Sequence, residues 1–202
     1  MFNSMKKVVQ SVEKTWQNLA SHAEQSSNAW DNEQNLYKRG ILMNIHFLTD
    51  RVDVDTKIEA LRKIGHLAYT GGPEASKCAG KSMDLIVEIL SNIANPRSLR
   101  TQAARSLSEI CKSHKDNATN FVKNGLSSVL GSLESTSDPR LTRWCIYTLV
   151  TGSVNSIPAL KWLSTSDELP KILRKMAALS WNGWENNYAN ILLMLLGYTE
   201  DN

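Results

Sequence analysis

Three cysteines in 202 residues, Cys78, Cys111 and Cys145, are an odd set, and none stands in a CxxC pair. A disulfide framework and a cysteine zinc site are therefore excluded as organising features. Each cysteine lies among apolar residues at helical spacing, which predicts core thiols and a reducing compartment, the cytosol or the nucleus. Glycine and proline are scarce, at 10 and 5, and 42% of the residues are hydrophobic, the balance of a folded chain rather than a disordered one. An excess of one charge is also missing: 23 Lys and Arg stand against 20 Asp and Glu. The net +3 is too small to argue for nucleic-acid binding, so any electrostatic case must be local. No apolar run is long enough to span a bilayer, and MFNSMKKVVQSVEKTWQ carries no signal-peptide core.

Catalytic patterns are missing as well. There is no phosphate-binding glycine loop, nucleophile-elbow serine or HExxH, and His22, His46, His66 and His114 lie far apart without ligand spacing. Asp53 and Asp55 could suggest a carboxylate site. They stand where a helix begins, however, and N-capping explains them better. No enzyme, metal or cofactor is implied.

What the chain does contain is a repeat. At an offset of 43 residues, Ala60, Leu61, Ile64, Leu67 and Ala68 fall on Ala103, Ala104, Leu107, Ile110 and Cys111. The same offset carries Met83, Ile86, Val87 and Leu90 onto Leu126, Val129, Leu130 and Leu133, and these onto Leu169, Ile172, Leu173 and Met176. Apolar positions step by three and four, the helical period. Asn95-Pro96 and Asp138-Pro139 read as an N-cap followed by proline at the first helical position, and Gly125 reads as a break between two helices.

The stretch NATNFVKNGLSSVLGSLESTSDPRLTRWCIYTLVTGS resembles the armadillo pattern of a short helix, a glycine, an apolar second helix and a longer third. SLRTQAARSLSEICKS is similar to that family's alanine-rich third helix. The resemblance covers about four-fifths of the chain. It implies an all-α fold, a right-handed superhelical α-solenoid of about four units over residues 30–70, 74–114, 117–154 and 157–198, together a repeat domain over 30–202. Terminal units need covering. Phe2, Met5, Val9, Val12, Trp16, Leu19 and Ala23 give residues 1–29 an amphipathic helix that serves as an N-terminal cap, with a coiled-coil or membrane-surface helix as the alternative. At the other end, residues 191–196 are apolar throughout; they either fold back into the last unit or dock a partner or a second copy.

Armadillo proteins line a concave groove with their third helices, and the resemblance places Arg62 and His66, Arg105 and Glu109, then Tyr147 and Thr151 along it. The tryptophan and asparagine by which the family's import receptors clamp basic peptides are lacking there. Positive charge recurs in register instead: Lys57, Arg100 and Arg143, and again Arg62 and Arg105. Such a column could meet an acidic segment of a partner protein; a solvated face explains it as well. The expected function is a protein-interaction scaffold, with an assembly subunit docking end-on through its terminal helices as the alternative. Nucleic acid is disfavoured because no aromatic interleaving is evident along the stripe.

Overall fold

A computed structural model describes residues 27–198, with side chains from residue 36 onward. The chain divides into two compact units, with the boundary between Leu36 and Tyr37. The expected capping segment 1–29 falls, but for its last residues, outside the described residues.

Among the described residues the structure is entirely helical. Its helices are α1 (Ser27–Thr49), α2 (Val54–Thr70), α3 (Gly72–Gly80), α4 (Met83–Ser91), α5 (Arg97–Ser113), α6 (Lys115–Asn124), α7 (Leu126–Ser135), α8 (Pro139–Ser153), α9 (Ile157–Leu163), α10 (Leu169–Ala177) and α11 (Tyr188–Leu195). Three sets of equivalent helices pack each on its own successor. The long helices run α2 on α5, α5 on α8 and α8 on α11; the second helices run α4 on α7 and α7 on α10; the short helix α3 packs on α6. The apolar positions found 43 residues apart are the cause, since they bury the same faces each time: Ala60, Ala103 and Ile146 are buried, and so are Ile64, Leu107 and Val150.

Hydroxyls tie the long helices together. Ser106 Oγ donates to the carbonyl of Leu61 at 2.7 Å, and Thr148 Oγ1 to that of Ala104 at 2.8 Å. Leu61 and Ala104 are equivalent under the repeat offset, so the same carbonyl is used twice.

Helix ends follow the residue chemistry, with one correction. Asp53 accepts from Thr56 N, and Asp138 accepts from Arg140 N and Leu141 N, each at 2.9 Å, so both are N-caps as expected. Gly125 ends α6 and opens α7, where a Cβ would strike the Phe121 ring. Asn95 is not an N-cap. Its side chain turns back and donates to the carbonyl of Ile89 at 2.8 Å, serving the C-terminus of α4 instead. All three cysteines are free and buried.

The apolar run 191–196 folds back rather than standing free: Leu192 and Leu193 are buried, and α11 packs on both α8 and α10. No described helix is long and apolar enough to cross a membrane.

Candidate functional site

The face built by the long helices holds most of the residues expected to line a groove, but they do not form one continuous stripe of charge. Arg62 is exposed and already engaged, with Nε and Nη2 on the two oxygens of Glu59 at 2.8 and 2.7 Å. His66 beside it is exposed. Arg105 pairs with Glu109 at 3.1 Å. Burial pushes the Glu109 carboxyl above its usual range, and Arg105 pulls only partly against it. Thr151 is half-buried with its hydroxyl on its own helix, donating to Tyr147 O and Thr148 O. Lys57 is half-buried on the first turns of α2 and lies outside the cleft described below.

Arg100 departs from the expectation altogether. It is 7% exposed, and its Nε donates to the carbonyl of Leu90 at 2.7 Å. Leu90 belongs to the last turn of α4, whose terminal carbonyls lack helical partners and carry partial negative charge. A guanidinium there satisfies a carbonyl and complements the helix dipole. Arg100 is therefore a helix cap turned inward, not a cation offered to a ligand, and the proposed column of Lys57, Arg100 and Arg143 is broken at its middle.

Its equivalent, Arg143, is turned toward the next unit. Nη2 donates to Ser180 O at 2.9 Å, and the guanidinium lies over the Trp181 ring with 5.8 Å to the centroid. Ser180 belongs to residues 178–187, a connection between α10 and α11 that breaks the repeat pattern. Two side chains pin that connection to the end of α10: Trp181 Nε1 donates to Met176 O and Asn187 Nδ2 to Ala177 O, both at 2.9 Å. Asn187 also accepts from Ala189 N and Asn190 N, so it caps two helices at once. Gly183 makes the turn between them at φ +82°, where other residues are strained.

The result is a cleft of about 680 Å³ between α8 and this connection. Trp144 and Tyr147 from α8 meet Trp184 and Tyr188 from the far side, with centroids 4.5 Å apart for Trp144 and Trp184 and for Tyr147 and Tyr188. The rings touch edge to face or tilted, the arrangement that aligns their quadrupoles. Arg105 extends the cluster, its guanidinium 5.3 Å from the Trp144 centroid. Burial raises the Tyr147 and Tyr188 hydroxyls above their ordinary range, so both stay protonated as donors at neutral pH. Arg140, Arg143, Glu185, Asn182 and Thr101 supply the polar rim.

Rings thus lie beside Arg105 and Arg143, and the expectation that aromatics do not interleave with the arginines is corrected. Within α8 the signal was present, since Trp144 and Tyr147 stand one turn apart. Trp184 and Tyr188 come from a segment outside the repeat, and only the tertiary fold brings them across.

The family of armadillo-like helical domain-containing protein 2 matches the chain over residues 1–200. The chain belongs to this family. Among curated proteins and among solved structures nothing matches it. Membership in the armadillo-like helical family agrees with the three-helix units seen here and points to a fold used for protein interaction. Among the described residues, no group of three or more His, Cys, Asp and Glu side chains is placed to hold a metal ion.

Proposed function

We propose that the protein is a non-enzymatic interaction scaffold, a short right-handed α-solenoid of about four armadillo-like units that holds a segment of a partner protein along its long helices. The aromatic cleft between α8 and residues 178–187 is the observation that carries this reading. Aromatic and arginine side chains are the residues that most often dominate binding energy at protein interfaces. Here four rings and two arginines converge, held by backbone ties that fix them before any partner arrives. Preorganisation of this kind lowers the entropy lost on binding. Arg105, Glu109, His66 and Arg62 continue the same face along α5 and α2. Three buried thiols suit a reducing compartment, and we place the protein in the cytosol or nucleus.

Site-specific photocrosslinking in cells tests the reading. A photoreactive side chain at Thr151, on the face, should capture a discrete protein partner that the same group at exposed Ser127 on α7 does not. The purified partner should then bind wild type and lose affinity for Trp184→Ala. No capture from Thr151, or equal capture from both positions, would refute the scaffold.

A further inference from the structure

The cations on this face fall into two classes. Arg62 and Arg105 are spent on Glu59 and Glu109, whereas Arg140 and Arg143 form no ion pair with any described acidic residue. Arg140 is exposed at the cleft rim, and Arg143 keeps a buried Nε without a hydrogen-bond partner. Glu185 is the one carboxylate lining the cleft, so its rim is net positive. A ligand carrying a carboxylate complements that rim.

The rings decide the rest of the ligand. An aromatic cage for a methylated cation needs rings standing apart, with the cation within about 6 Å of each centroid. Here facing rings are 4.5 Å apart and touch, which leaves no room for a cation between them. What they present is a contiguous aromatic surface, the kind of wall on which proline rings dock in other aromatic-lined grooves. The repeat of a polyproline II helix, three residues at about 3.1 Å each, is about 9 Å. Packed helices stand about 8–10 Å apart, so each turn of such a ligand meets the next helix of the face.

Resting on the scaffold reading, we infer that the cleft recognises a proline-rich segment of the partner in polyproline II form, carrying an acidic residue that faces Arg140 and Arg143. The prolines lie on Trp144, Tyr147, Trp184 and Tyr188. The segment enters with little conformational entropy to lose, since its backbone is already extended. Direct contact with Trp144 and Trp184 makes binding visible in intrinsic fluorescence.

Fluorescence anisotropy on the full chain tests this with a labelled peptide of repeated Pro-Pro-Glu triplets. Comparators are Pro-Pro-Lys triplets, Ser-Gly-Glu triplets with the same charge but no preformed helix, and an oligothymidylate of similar length. The Pro-Pro-Glu peptide should bind saturably and weaken with salt. Ser-Gly-Glu should bind at least about tenfold more weakly, and Pro-Pro-Lys and the oligonucleotide should not compete. Arg140→Glu is a surface change that leaves the rings in place; it should cost about tenfold or more. Trp184→Ala, checked for native helicity by circular dichroism, should abolish binding. Equal affinity of Arg140→Glu and wild type, absence of saturable Pro-Pro-Glu binding, or tighter binding of the oligonucleotide would overturn the inference. If peptide binding fails while the crosslinked partner still depends on Trp184, only this inference falls; if crosslinking from Thr151 fails, the scaffold reading falls with it.

Discussion

Thr148 reaches from one long helix to the next and donates its hydroxyl to the carbonyl of Ala104 at 2.8 Å, in a setting where both residues are fully buried. Ser106 does the same to Leu61 one unit earlier. A buried hydrogen bond typically contributes about 0.5–1.5 kcal/mol net. Thr148→Val keeps the volume but sets a methyl against the carbonyl, so urea unfolding should show a loss of about 1–2 kcal/mol. Ser106→Ala should lose a similar amount. An unchanged midpoint in both would mean that these ties merely accompany the packing.

Two glycines inside helices should answer the same substitution with opposite signs. Gly152 in α8 faces the fully buried Phe121, whose ring occupies the space a Cβ would need. Phe121 is packed on all sides and cannot retreat, so Gly152→Ala should destabilise by about 1–3 kcal/mol. Gly131 in α7 is exposed, with nothing within 4 Å of its missing Cβ. There alanine only removes unfolded-state freedom and should stabilise by about 0.5–1 kcal/mol. Thermal melts of the two variants against wild type decide the matter; shifts in the same direction would contradict the packing.

Glu109 gives stability a dependence on pH. Burial raises its folded pKa above the unfolded value near 4.5, so the folded state holds this proton more tightly than the unfolded one. Its contribution is therefore most favourable below the unfolded pKa and is lost as pH rises through the folded one. Glu109→Gln removes that loss along with the Arg105 pair. Relative to wild type, the variant should gain stability between pH 4 and pH 7, read as a change in urea midpoint across the range. A constant difference would show that Glu109 does not titrate differently in the two states.

The cysteines should separate by access. Cys111 and Cys145 are fully buried; burial drives the Cys111 thiol well above its ordinary range, and that of Cys145 up to about 12 despite nearby Arg100. Cys78 is 8% exposed, and burial raises its thiol too. Because the thiolate is the reactive form, a thiol reagent at pH 8 should modify Cys78 first and the other two only through unfolding. Peptide mapping after timed labelling tests the order, and denaturant should abolish it. Early modification of Cys111 would contradict the burial.

Much of this fold was legible because repetition writes the same burial into the sequence several times. Ala60 to Ala68 and Ala103 to Cys111 match position by position, since α2 and α5 bury matching faces. Asp138 was legible as a cap because its partners are the next few backbone amides. Asn95 and Arg100 misled for the converse reason. Their partners are carbonyls upstream, Ile89 and Leu90, and no spacing rule distinguishes an outward cation from one folded back on the preceding helix. The cleft was half legible: Arg143 and Tyr147 follow from the repeat register. The opposing wall does not, because residues 178–187 break the register and only long-range packing brings Trp184 and Tyr188 to α8.

Arg100 and Arg105, five residues apart on α5, therefore separate stability from binding. Arg100 is buried with Nε on the Leu90 carbonyl, and its Nη2 has no partner among the described residues. Arg100→Met removes a buried charge yet leaves that carbonyl at the end of α4 unsatisfied, a cost of about 1–3 kcal/mol. Arg100→Glu sets a carboxylate against a helix C-terminus in a dry site and should prevent folding outright. Arg105 is exposed and pairs with a half-buried carboxylate over the Trp144 ring. Arg105→Ala should change stability by no more than about 1 kcal/mol. Reversing both charges would thus report unfolding and say nothing of a ligand. The informative comparison is unfolding free energy beside partner affinity for each single variant. Arg100→Met should lose stability and, at temperatures where it remains folded, keep its affinity, whereas Arg105→Ala should keep its stability and lose affinity through the weakened aromatic wall. A folded Arg100→Met protein with lost affinity would return Arg100 to the ligand face and undo the helix-cap reading.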